Sequence, residues 1–126
     1  MSGIRTLLKR FQSECETSDA HEDKELQTRY FKSMHQGAFN GVLDLFSSSE
    51  YEVISQSKDR GEITVRKNGM PQLFIVATVI TVRPSETAID FKISADKGKI
   101  FGTYTVLKAQ INHYYQRLDS DMKKVK

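Results

Sequence analysis

The chain has 126 residues, 19 of them Lys or Arg and 16 Asp or Glu, giving a formal charge of +3 and a sequence pI near 9.0. That length suits one domain, a hydrophobic content of 38% excludes wholesale disorder, and a single Cys excludes an intramolecular disulfide framework or a cysteine-based zinc site. Residues 25–118 interleave 12 basic with nine acidic side chains, as in Lys58-Asp59-Arg60-Gly61-Glu62, so charge does not gather as it does on a nucleic-acid-binding face.

Residues Ile4, Leu7, Leu8, Phe11 and Cys15 recur at helical spacing with Arg5, Lys9 and Arg10 off the stripe, which predicts an N-terminal amphipathic helix. Through Ile4, Leu8 and Phe11 it offers a peripheral membrane contact. Glu14 to Glu25 is acidic and poor in large apolar residues and reads as a linker, so residues 1–24 stand apart from a domain over 25–126. The Met1–Arg5 start leads into no signal-peptide core, and no run approaches the ~18 uncharged apolar residues of a membrane span. With a lone Cys15, this predicts a cytoplasmic protein.

Leu26 to Phe31 alternates with period two and predicts a first strand. Ser33 and Gln36 fit a capping box ahead of a helix on which Met34, Ala38, Val42, Leu45 and Phe46 form the apolar stripe, ending at Ser47-Ser48-Ser49. Four strands follow: Tyr51–Gln56, Glu62–Arg66 after the turn Lys58–Gly61, Leu73–Val82 after the hairpin signal Asn68-Gly69, and Ile89–Ser94 after the turn Arg83–Glu86. Leu107, Ile111, Tyr114 and Leu118 place a helix at the C-terminal end, with Lys123-Lys124-Val125-Lys126 as its frayed end. The expected architecture is α+β: an N-terminal helix, then β-α-β-β-β-β-α, one curved antiparallel sheet with its helices on one face.

A sheet covered on one side alternates apolar and polar positions, but the strand Leu73–Val82 is apolar on both. Phe74, Val76, Ile80 and Val82 lie on one side, and Leu73, Ile75, Ala77 and Val79 on the other. The second set is taken as the outer one and hence as a protein interface, covered by the N-terminal helix, by a second copy in a homodimer, or by another protein.

Catalytic and metal-binding patterns are sparse. His21, His35 and His113 have no metal-ligand spacing, Cys15 has no partner His, and Glu62 and Asp90 sit on strands that Leu73–Val82 separates. Lys99-Ile100-Phe101-Gly102-Thr103-Tyr104 lacks the βαββαβ setting of an RNA-recognition motif. No cofactor or metal is predicted.

Tyr51-Glu52-Val53-Ile54-Ser55, Gly61-Glu62-Ile63-Thr64-Val65, Phe74–Val79 before Arg83-Pro84, and Ala88-Ile89-Asp90-Phe91 before a closing helix resemble small uncharacterised cytosolic proteins of spore-forming Gram-positive bacteria. The order is also similar to helix-grip-like domains, in which a long C-terminal helix lies in a curved antiparallel sheet. That resemblance implies binding of apolar ligands or proteins and carries over no functional residues. The reading is a non-enzymatic interaction domain acting through self-association or a protein partner. An alternative is an apolar-ligand binder with its site at Phe91, Tyr104, Leu107 and Ile111; weak nucleic-acid or membrane-surface binding is a third.

Overall fold

A computed structural model describes residues 14–69, 72–95, 103–123 and 125. Its strands are β1 (Glu14–Glu16), β2 (Arg29–Phe31), β3 (Tyr51–Ser57), β4 (Glu62–Lys67), β5 (Leu73–Arg83) and β6 (Glu86–Ala95). Its helices are α1 (His35–Leu45), between β2 and β3, and α2 (Thr103–Asp121), after β6. The class is α+β, with one six-stranded antiparallel sheet in the order β1-β6-β5-β4-β3 and β2 also paired to β6.

Both helices cover the same face of that sheet. From α1, Ala38, Phe39, Val42 and Leu45 are buried; from α2, Leu107, Ile111, Tyr114, Tyr115 and Leu118 are buried. They join one cluster with Ile63 and Val65 of β4, Ile75, Ala77 and Val79 of β5, and Ile89, Phe91 and Ile93 of β6. Aromatic rings fill its centre: Phe91 lies 5.3 Å from Tyr114 and 5.2 Å from Tyr115, centroid to centroid. Side chains of this size each bury on the order of 150–250 Å², so the helix–sheet layer is where most of the stabilising area lies.

Helix α1 starts differently from the expected capping box. Its N-cap is Met34, which makes no side-chain cap bond and is 69% exposed instead of lying on the apolar stripe. The Ser33 hydroxyl donates to the Met34 carbonyl at 2.9 Å, which removes it from capping duty. The C-terminal end does follow hydroxyl competition, because Ser47 Oγ donates to the Asp44 carbonyl at 3.0 Å.

The acidic stretch 14–25 is no linker. Glu14 and Cys15 belong to β1, which pairs with Lys92–Ser94, and Cys15, Thr17 and Leu26 are buried. The acidic character misleads because the carboxylates sit on the outward positions while Cys15 and Thr17 take the inward ones. Asp23 and Glu25 pair with Lys108 of α2 at 2.5 Å and 3.2 Å. Thr17 N–H donates to the Phe91 carbonyl, Ser18 N–H to that of Leu26, and Thr28 N–H to that of Ser18. These bonds close residues 17–28 into a loop that leaves the sheet edge and returns to it. The expected helix over residues 4–13 lies outside the described residues; Cys15, its last stripe position, is on a strand.

The C-terminal end also departs from expectation. Helix α2 stops at Asp121, and the chain turns back along β2. Lys32 N–H donates to the Lys123 carbonyl at 2.7 Å and Val125 N–H to the Tyr30 carbonyl at 2.9 Å, which is the spacing of an antiparallel pair. A frayed end would leave the backbone of β2 exposed on that side; the tail satisfies it instead.

Candidate interaction surface

Register decides which side of β5 is open. Thr64–Val76–Lys92 form one row across β4, β5 and β6, and Glu62–Thr78–Asp90 form the next. Arg66–Phe74–Ser94 lie on the other flank of the first row. These positions alternate with the core set and face away from both helices. Further along, Ile80 is 52% and Val82 44% exposed. Phe74, Val76 and Thr78 are half-buried, with the Arg66 guanidinium 5.7 Å from the Phe74 ring centroid. Among the described residues no helix or strand lies over this outer face.

The face assignment made from the sequence is therefore reversed. Leu73, Ile75, Ala77 and Val79, the expected interface, are all buried in the helix–sheet core. Both alternating sets of β5 are apolar, so composition cannot say which set meets the helices. The polar neighbours can: Glu62, Thr64, Arg66, Asp90, Lys92 and Ser94 share a side with the even-numbered residues of β5. An outer stripe exists, but it consists of Phe74, Val76, Ile80 and Val82.

The alternative ligand site is filled by its own side chains. Phe91, Leu107 and Ile111 are buried together in the core, whereas Tyr104 is 44% exposed at the end of α2. Tyr104 sits against Cys15, and burial pushes the Cys15 thiol up, away from its reactive thiolate form. Two open depressions, of about 430 and 520 Å³, lie beside Tyr30 and beside Tyr104 respectively, not beneath α2. The larger is lined by Glu14, Cys15, Glu16, Ser18, His21 and Tyr104. The smaller brings Asp19 and Glu86 together with Lys24 and Tyr30, a mixed-charge surface without a preference for one sign of ligand.

Most polar groups that attract notice in the sequence are engaged in holding the fold. Asp90 Oδ1 accepts from Thr17 Oγ1 and from Thr28 Oγ1, each at 2.6 Å, which fastens both ends of the 17–28 loop to β6. The buried Phe91 N–H, left without a strand partner where β1 gives way to β2, donates to Thr17 Oγ1 at 3.0 Å. The Tyr115 hydroxyl donates to the Ile89 carbonyl at 2.7 Å, and burial drives its pKa well above the ordinary tyrosine value. Arg29 pairs with Asp119 at 2.7 Å and lies 4.6 Å from the Tyr115 ring centroid. His35 Nε2 lies 3.0 Å from the Val79 carbonyl. Sequence reasoning missed Thr17 and Thr28 because an isolated threonine carries no motif.

The sheet edges are closed where the face is open. On β3 a bulge between Val53 and Ser55 breaks the ladder, which hinders addition of another strand. On β2 the C-terminal tail occupies the edge. Strand β1 is three residues long and carries Glu14 and Glu16.

Among the described residues no group of three or more His, Cys, Asp or Glu is placed to hold a metal ion, and no helix is long and apolar enough to cross a membrane. The proposed membrane contact through Ile4, Leu8 and Phe11 falls outside the described residues. No family model matches the chain, and no curated protein matches it.

Proposed function

We propose that this protein is a non-enzymatic interaction domain that works by self-association through the outer face of its sheet. The observation that carries this reading is the row Phe74, Val76, Ile80 and Val82 on a face that no described element covers. Exposed apolar rows on a sheet with polar flanks favour burial against another protein surface. The arrangement of one long helix across the inner face of an antiparallel sheet is similar to helix-grip-like domains. A ligand pocket beneath that helix is disfavoured by the aromatic packing of Phe91, Tyr114 and Tyr115.

Sedimentation of the full chain across a concentration series tests the reading. Self-association predicts a mass that rises with concentration from 14.4 kDa toward twice that value. A single monomeric species from about 1 to about 200 µM would contradict it, since a specific homodimer is populated within that range.

A further inference from the structure

Resting on the reading of the outer face as the self-association surface, we propose that residues 4–11 of the same chain dock on that face in the monomer and must leave it before a second copy binds.

The tether puts the segment beside the face. Residues 1–13 lie outside the described ones and join the sheet at Glu14, in the row Arg66–Phe74–Ser94–Glu14. Strand β1 is two places from β5, so Glu14 stands about 10 Å from Phe74. The three steps from Glu14 back to Phe11 span up to about 10 Å, and the Phe11 ring extends that reach onto Phe74. From Phe11 a helix back to Ile4 is about 10.5 Å long, against about 13 Å along β5 from Phe74 to Thr78. The stripe Ile4, Leu7, Leu8 and Phe11 then covers Phe74 and Val76 and stops short of Ile80. With β1 three and β4 six residues long, this end of the face is a strip along β5 that one helix fills. A tethered segment also needs less buried area than a second molecule, because its effective concentration is in the millimolar range.

Charge favours the same occupant. On the outer face Arg66 is paired with Glu52 at 2.7 Å, and Lys92 stands directly across from Glu16. Glu14, Glu62 and Asp90 make no ion pair with a described residue. These carboxylates lie to both sides of β5, Glu62 on β4 and Asp90 on β6, with Glu14 beyond on β1. Residues 1–13 supply three cations, Arg5, Lys9 and Arg10, and no acid. At about 100° per residue, Arg5 and Arg10 flank the apolar stripe on opposite sides, which suits carboxylates to either side of the strand.

The docked segment hides Phe74 and Val76 from a second copy. Both copies must release their segments, so a face that is free about one tenth of the time weakens dimerisation about a hundredfold, the square of that fraction.

Two measurements on the full chain test this. In a Cys15→Ala background, Ile4→Cys is combined either with Thr78→Cys on the outer face or with His113→Cys, exposed on α2, and treated with a short bismaleimide at low protein concentration. Docking predicts an internal link at monomer mass that forms about tenfold or more faster between positions 4 and 78 than between 4 and 113. Equal rates would overturn the docking, and a 4-to-78 product at dimer mass would overturn it in favour of a segment exchanged between two copies. Separately, Leu8→Glu places a carboxylate on the stripe and is expected to tighten self-association about tenfold or more in sedimentation. Unchanged self-association would overturn the competition. A wild type and a Leu8→Glu chain that both stay monomeric would remove the self-association reading, while the internal link would still report the docking.

Discussion

Thr17 is a single hydroxyl at the point where two edge strands share one neighbour, and replacing it tests how that edge is held. In Thr17→Val the shape is kept and the hydroxyl is lost. Three interactions go with it, the weakest being the Tyr115 hydroxyl at 3.3 Å, which keeps its bond to the Ile89 carbonyl. The buried Phe91 N–H loses its acceptor at 3.0 Å, and Asp90 Oδ1 loses one of its two donors at 2.6 Å. An unsatisfied buried N–H costs about 1–3 kcal/mol, and a hydrogen bond to a charged group contributes about 1.5–3 kcal/mol in buried settings. Asp90 is partly exposed and keeps Thr28, so its share falls to the lower end or below, and the sum is on the order of 2–4 kcal/mol. For 126 residues the unfolding entropy makes 1 kcal/mol worth about 4 °C, so the melting temperature should fall by about 8–16 °C. Thr28→Val removes only a bond to Asp90 and should cost less than half as much. Thermal unfolding followed by far-UV circular dichroism reads both. A Thr17→Val drop under about 3 °C, or a Thr28→Val drop equal to it, would refute the account of this edge.

Other expectations rest on different parts of the structure. Gly61 has φ +67°, and a Cβ there would lie 2.0 Å from the Val79 carbonyl oxygen, so Gly61→Ala should destabilise the fold by about 2 kcal/mol or more in urea unfolding. The Tyr30 hydroxyl donates to Asp19 at 2.5 Å, and that carboxylate pushes its pKa up to about 12 from 10.0. Because the folded value is the higher, this stabilisation is complete below pH 10.0 and is lost as pH rises toward about 12. Asp19→Asn should move one tyrosine back toward its ordinary value in an absorbance titration at alkaline pH. In the same titration Tyr114 and Tyr115, buried and held neutral, should ionise only as the protein unfolds.

The strand positions from Tyr51 to Ser94 and the helices on either side of them are legible in the sequence because alternation, helical spacing and turn residues act locally. Lys58–Gly61 and Arg83–Glu86 mark their reversals by composition alone. Three features are not legible, and each depends on contacts distant in the chain. Glu14–Glu25 joins the sheet because Thr17 and Thr28 bond to Asp90, more than sixty residues away. The tail after Asp121 leaves the helix because the edge of β2 offers it backbone partners. The sides of β5 are interchangeable by hydrophobicity, so only its pairing with Glu62–Lys67 and with Asp90–Ser94 shows which side carries the polar neighbours. That last point moves the candidate surface by one residue along the strand, from Val79 to Ile80.

The measurement that bears most directly on the central claim is sedimentation of Ile80→Lys beside the wild-type chain. Ile80 is 52% exposed on the outer face, so the variant should fold normally, yet an unpaired ammonium buried in the interface should hold it monomeric at concentrations where the wild type is dimeric. An Ile80→Lys chain that dimerises as the wild type does would contradict the assignment of the outer face as the interface.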